Sequence, residues 1–262
     1  ARQLSLKPMQ PVEEVVALAA LPKALRVSIG GDKLQYISGD DDLLTRPTAA
    51  PAGFDWDSLY GCYLKGKEDA RQRAYLQAAD AFESCLKLDS NYLPALVELA
   101  ALANRRADPA PALRHARHAL SIDTYDPGAN YQFGLASAAL RHQADAKEAF
   151  SLAALSPGWR SAASTELAKE YLREKLYDRA VASAKEALYS NVRNLDALQL
   201  VACAQRLRGD AAGADAALAA LRGLDPLNHG ACFEQYLRGK ASARDFTALI
   251  RNELPQETFL EL

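Results

Sequence analysis

The chain has 262 residues, of which 49% are hydrophobic and 24% are charged, a composition too apolar for a disordered protein. Its net charge of −2 removes the whole-chain electrostatic argument for a nucleic-acid partner, and no apolar run approaches the ~20 residues of a membrane span. Alanine supplies 52 residues, which favours closely packed helices over strands because alanine is the best helix former.

The first 52 residues are not part of a helical repeat. Alternating stretches at Leu25–Ile29 and Lys33–Ile37 flank Gly30-Gly31, a pattern that predicts a β-hairpin over 25–37. Glu13–Leu21 predicts a short helix, and Arg46–Gly53, with two prolines, predicts a linker. We therefore expect residues 1–52 to form a separate N-terminal segment.

A 34-residue repeat organises the rest of the chain, because steps of 34 from Ala78 reach only alanines as far as Ala214. A small residue lies twelve positions before each of these alanines, and small or apolar residues lie four and seven positions after each of them. In the third unit these are Gly134, Phe150 and Ala153. Spacings of three and four place side chains on one helix face, so each unit predicts two helices that approach closely at the small residues.

The repeat divides residues 53–262 into five regular units and a degenerate sixth. Within the last unit, His229–Leu237 predicts a first helix and Ser242–Asn252 a shorter second one. The apolar ending over 254–262 resembles the start of a further helix and is a poor cap, which favours homo-oligomerisation through this end. The predicted units are 59–92, 93–126, 127–160, 161–194, 195–228 and the degenerate 229–262.

The 34-residue period, with Phe133-Gly134 and the small and apolar columns that follow, resembles the tetratricopeptide repeat. This resemblance implies an all-α, right-handed superhelical solenoid of antiparallel helix pairs, accompanied here by the small N-terminal β-hairpin. Units two to five lack the family's tryptophan near their start, and the first unit has Lys65-Gly66 where Leu-Gly is expected.

Three short stretches are also similar to the repeat region of large bacterial proteins that carry a β-rich, mutarotase-like domain before their tetratricopeptide units. These stretches are Leu43–Pro47, Asp225–His229 and Arg251–Pro255. The similarity implies an alternative function, in which the chain is the scaffold portion of a multidomain carbohydrate-active protein whose catalytic part lies outside these residues.

No pattern in the sequence indicates catalysis, a metal site or a cofactor. His115 and His118 share a helix face, but the neighbouring Arg114 and Arg117 would repel a cation and no third ligand is near. Gly30-Gly31 lacks the lysine and helix that a phosphate loop needs. We therefore expect these residues to contain no enzyme.

The concave groove of the predicted solenoid is the remaining candidate site, because first helices line that face and positions between the core columns point into it. We expect it to bind a protein or peptide segment, or another domain of the same polypeptide, and we predict neither a nucleic-acid nor a membrane partner. An aromatic anchor and several cationic donors favour a segment with an acidic group. The predicted groove residues are Asn104, Tyr131, Leu135, Lys169, Arg173, Gln199 and Arg206.

Overall fold

A computed structural model describes residues 15, 25–29, 34–37, 50–51 and 53–248. The chain divides into two units, residues 1–54 and residues 55–262. Apart from residue 15, the predicted helix at Glu13–Leu21 lies outside the described residues, as do the Gly30-Gly31 turn and the predicted final helix over 254–262. Among the described helices, none has the length and apolar character needed to cross a bilayer.

The described part of the first unit is a two-stranded antiparallel hairpin. Strand β1 (Arg26–Ile29) pairs with β2 (Leu34–Ile37), and the register places Arg26 opposite Ile37 and Ile29 opposite Leu34. The Arg26 guanidinium donates a hydrogen bond of 2.6 Å to Gln35 Oε1. The hairpin predicted from the alternating residues is thus confirmed.

The described part of the second unit is a succession of helix pairs. Helices of one pair pack against each other, and each second helix packs against the first helix of the next pair. The first helices are α1 (Leu59–Arg71), α3 (Leu93–Arg105), α5 (Pro127–Ala139), α7 (Arg160–Arg173), α9 (Leu195–Leu207) and α11 (His229–Leu237). The second helices are α2 (Tyr75–Leu88), α4 (Pro109–Ile122), α6 (Gln143–Ala153), α8 (Tyr177–Ser190), α10 (Ala211–Leu224) and α12 (Ala243–Thr247).

The repeating alanine column forms the centre of the solenoid. All five alanines from Ala78 to Ala214 at steps of 34 are at most 1% exposed. In the third pair, Gly134 faces the Phe150 ring so closely that an added Cβ would lie 2.6 Å from Phe150 Cε1. In the second pair the same two positions hold Ala100 and Ala116, both fully buried. Small residues therefore bring the helices of a pair together, which confirms the predicted all-α helical solenoid.

A residue with positive φ ends the first helix of each regular unit. The left-handed conformation reverses the chain within a few residues, and glycine adopts it at the lowest cost. Only one of the five positions carries glycine, and all five fall 34 residues apart. They are Arg73 (63°), Ala107 (56°), Arg141 (65°), Lys175 (61°) and Gly209 (84°).

Candidate functional site

First helices of successive units contact one another, as α3 does with α5 and α9 does with both α7 and α11. Their exposed faces form two open clefts, one at each end of the solenoid. The N-terminal cleft, of about 660 Å³, involves α1 to α5, and the C-terminal cleft, of about 460 Å³, lies on α7, α9 and α11. Five of the seven predicted groove residues line these clefts: Asn104 and Leu135 the first, and Lys169, Gln199 and Arg206 the second.

The N-terminal cleft combines an apolar wall with paired amides. Asn104 Nδ2 donates to the backbone oxygen and to the side-chain Oε1 of Gln132, at 2.9 and 3.0 Å. The Arg105 guanidinium lies 4.9 Å from the centre of the Tyr75 ring, a cation–π contact that holds both side chains at the rim. The polar groups of this cleft thus largely satisfy one another.

The C-terminal cleft has an apolar floor with a polar amide beside it. Leu172, Leu200 and Phe233 are among the floor residues, and all of them are partly exposed. The Gln199 amide makes no hydrogen bond to any described residue. It occupies space left by Gly230, since a Cβ there would lie 2.4 Å from Gln199 Nε2. A side-chain amide with free donor and acceptor can bond both groups of a peptide unit.

Tyr131 belongs to the core of the third unit rather than to a cleft wall. Its ring packs against Phe150 and Trp159, with centroid distances of 5.9 and 4.9 Å. Burial is the main cause that raises the pKa of Tyr131 to about 12, with the charges of Glu166 and Asp196 adding to it. Sequence reasoning missed Trp159, which lies in the linker before α7 and closes over the tyrosine.

All three predicted cationic donors already have carboxylate partners. Lys169 Nζ lies 2.7 Å from Glu166, and the exposed Arg173 pairs with Glu170, which is only 2% exposed. An acidic ligand group would therefore compete with an existing ion pair at each cation, which weakens its binding there.

The pair of Arg206 with Glu234 is the most enclosed of the three. Arg206 donates two hydrogen bonds to the Glu234 carboxylate, at 2.5 and 3.1 Å, and Glu234 is only 5% exposed. Glu234 follows Arg206 by 28 residues, which places it on the first helix of the next unit, so the repeat register could have located this partner.

Among the described residues, the thiol of Cys203 and the imidazoles of His115 and His118 show no reactive arrangement. Burial raises the pKa of the Cys203 thiol to about 11, so the thiol is protonated at neutral pH and a poor nucleophile. His118 Nε2 lies 2.9 Å from Asn91 Oδ1, and burial lowers the pKa of His115. Within the described part of the chain, no three His, Cys, Asp or Glu side chains converge as metal ligands.

Comparisons with known proteins identify the fold. No protein-family model matches the sequence, and a search of curated proteins also gives no match. Among solved structures, the type IV pilus biogenesis factor PilW aligns with a TM-score of 0.66 at 20% identity, covering 77% of this chain and 98% of PilW. Pseudomonas aeruginosa PilF aligns at 0.63 and 17% identity, covering 78% and 97%.

A third structure connects this fold with peptide binding. YrrB, a tetratricopeptide-repeat (TPR) protein with an unusual peptide-binding site, aligns at 0.55 and 13% identity, covering 68% of this chain and 92% of YrrB. This chain has the tetratricopeptide-repeat fold. The TPR architecture explains why the residues that line the two clefts recur on first helices.

Proposed function

We propose that this TPR solenoid is a non-catalytic interaction scaffold that binds a peptide segment in its concave groove, with the C-terminal cleft as the principal contact. One observation carries the proposal. Three successive first helices, α7, α9 and α11, line one cleft, in which apolar side chains lie beside the amide of Gln199, and this amide makes no hydrogen bond to any described residue. The fold that this chain shares with the peptide-binding YrrB supports the same conclusion.

The chemistry of the cleft favours a segment with little net charge. Lys169 and Arg206 are compensated by Glu166 and Glu234, so an added carboxylate has to displace a protein carboxylate, and it also meets the exposed carboxylate of Asp196. An apolar side chain buried on the floor gains about 25 cal/mol per Å² of apolar surface removed from water. The Gln199 amide can then bond the peptide backbone. We propose an extended segment with an apolar anchor residue as the ligand.

Binding can be tested with the full chain and peptides selected from a random displayed library, with affinity measured by fluorescence anisotropy. Gln199→Ala removes the hydrogen-bonding amide, and we expect roughly three- to tenfold weaker binding, about 0.5–1.5 kcal/mol. Gly230→Ala displaces the Gln199 side chain by adding one methyl group to the cleft lining, and binding should weaken similarly. The fold should persist, because the displaced atoms are the end of a flexible side chain.

Gly223→Ala is the matched control. It makes the same chemical change on the exposed face of α10, where nothing lies within 4 Å of the added Cβ. Affinity should therefore be unchanged. Selected peptides that bind equally well to Gln199→Ala, Gly230→Ala and the parent chain would contradict the assignment of this cleft.

Three finer statements stay predictions. They are the division into an N-terminal segment (1–52) and a solenoid (53–262), the binding of another domain or a second copy in place of a peptide, and the carbohydrate-active alternative. The carbohydrate-active alternative concerns a mutarotase-like domain outside this sequence. In that alternative, the solenoid is the scaffold that supports the domain.

A further inference from the structure

The two edges of the solenoid differ in charge. One edge, named here the basic edge, consists of the turns that join the two helices of each unit, at 71–74, 105–108, 139–142, 173–176, 207–210 and 238–241. It carries ten Lys and Arg residues against three carboxylates. The linkers between units form the opposite edge, at 89–92, 123–126, 154–159, 191–194 and 225–228. There, one arginine stands against four aspartates.

Half of the cations on the basic edge are held in ion pairs. Arg71 pairs with Glu68, Arg173 with Glu170 and Arg208 with Asp178, while Arg238 and Lys240 share Asp215. The other five are exposed and make no ion pair with any described residue. They are Arg73, Arg105, Arg106, Arg141 and Lys175.

Three of these five unpaired cations occupy strained backbone positions. Arg73, Arg141 and Lys175 have φ between 61° and 65°, where a side chain is unfavourable and glycine is not. Gly209 holds the same register, so the turn itself accepts glycine. An exposed cation adds no packing there. Strained residues that packing does not explain point to a function.

We propose that the basic edge is a second interaction surface, distinct from the C-terminal cleft and adjoining the N-terminal cleft at Arg105 and Ala107, which binds an acidic segment of a partner protein. The cations at 73, 141 and 175 recur at one register position, with Arg106 beside the corresponding position 107 of the second unit. Stacked helices lie 8–10 Å apart, so the row from Arg73 to Lys175 spans about 30 Å. An extended peptide covers that distance with about nine residues.

The composition of the edge favours a protein carboxylate over other anions. Asp108 and Asp210 lie between the cations, while Glu174 is already paired with Lys147. A broad anionic membrane would meet these carboxylates together with the cations, whereas a segment one residue wide can follow the cations alone. Arg105 covers one face of the Tyr75 ring, so a nucleic-acid base would compete with this cation for stacking on that face.

The test uses the full chain and a fluorescein-labelled deca-glutamate peptide at low ionic strength, with deca-glutamine as the uncharged control. Replacing Arg73, Arg141 and Lys175 together by glycine removes three charges and also relieves three strained positions. We expect affinity for deca-glutamate to fall about tenfold or more, while the thermal midpoint rises by a few degrees. Loss of binding therefore cannot be attributed to unfolding.

Ala107→Gly relieves the same strain without removing a charge, so it should raise the thermal midpoint and leave affinity unchanged. Three results would overturn the proposal. They are equal affinity of the triple variant and the parent, equal affinity of the parent for deca-glutamine, and tighter binding to a ten-nucleotide single strand or to phosphatidylserine vesicles than to deca-glutamate. Gln199→Ala should leave the affinity for deca-glutamate unchanged. This variant therefore distinguishes a failure of the basic-edge proposal from a failure of the groove assignment.

Discussion

The contact between Gly134 and Phe150 yields the sharpest test of how the helix pairs are held together. A Cβ on Gly134 would lie 2.6 Å from Phe150 Cε1 and 2.7 Å from Cδ1, and the ring is fully buried. Gly134→Ala should therefore cost about 1–3 kcal/mol by overpacking, offset by about 1 kcal/mol from the better helix propensity of alanine.

Removal of the ring should reverse the sign of this effect. Phe150→Ala alone should cost about 3–5 kcal/mol. In that background Gly134→Ala meets no ring, so only the propensity gain of about 1 kcal/mol remains. The double variant recreates Ala100 and Ala116, which occupy the same register in the second unit. The two changes should therefore be coupled by about 1–3 kcal/mol.

Urea unfolding of the four proteins measures the coupling, followed by the fluorescence of Trp159. This indole packs at a tilt against Tyr131, which in turn packs on Phe150, so it reports on the third unit. All four proteins should carry Trp56→Phe, which removes the chain's other tryptophan. If Gly134→Ala is equally costly with and without the ring, close approach at the glycine does not determine the packing of this pair.

Three further predictions concern the turns and the ionisable groups. Ala107→Gly should raise the free energy of unfolding by about 0.5–1 kcal/mol and Gly209→Ala should lower it by a similar amount, because both residues have positive φ. Urea midpoints measure both changes, and the same sign for the two variants would refute the prediction. Hydrogen bonds from Arg238 and Lys240 lower the pKa of Asp215 from 3.8 to about 2, so its contribution to stability is complete above pH 4 and is lost as pH falls towards 2. Acid titration of Asp215→Asn should show a shallower loss over that range, and identical slopes would exclude this contribution. Iodoacetamide should modify Cys203 at pH 8 on the order of a hundredfold more slowly in the folded chain than in urea, because the thiol pKa of about 11 leaves little thiolate. Peptide mass spectrometry measures both rates, and equal rates would show that the folded thiol is activated.

The helix pairs could be predicted from the sequence because the residues that pack two helices together recur at fixed positions of the 34-residue repeat. Alanine at every step from Ala78 to Ala214 can be explained only by a position where two helices nearly touch, and these alanines are indeed buried. Local spacing also located α11, which the sequence placed at His229–Leu237 and the structure confirms. A sequence repeat is sufficient to predict helix packing where each residue contacts only its own unit and the next one.

The state of the groove residues was harder to predict, because it depends on partners in other helices. Lys169 was predicted as a cationic donor of the groove, although Glu166 precedes it by three residues, a spacing that itself favours an ion pair. Glu234 is the partner of Arg206 from the next first helix, which only the repeat register reveals. Nothing in the sequence indicated that Trp159 would turn back onto Tyr131.

The opposite charges of the two edges affect how the molecule behaves on charged matrices. Its net charge of −2 and pI near 6.1 suggest that above neutral pH it should bind only an anion exchanger. A resin, however, interacts with the nearest face rather than with the sum of all charges, since exposed charges are screened over about 10 Å at 0.1 M salt. We therefore expect the basic edge to retain this acidic protein on a cation exchanger at pH 8 as well, with the molecules bound in a common orientation.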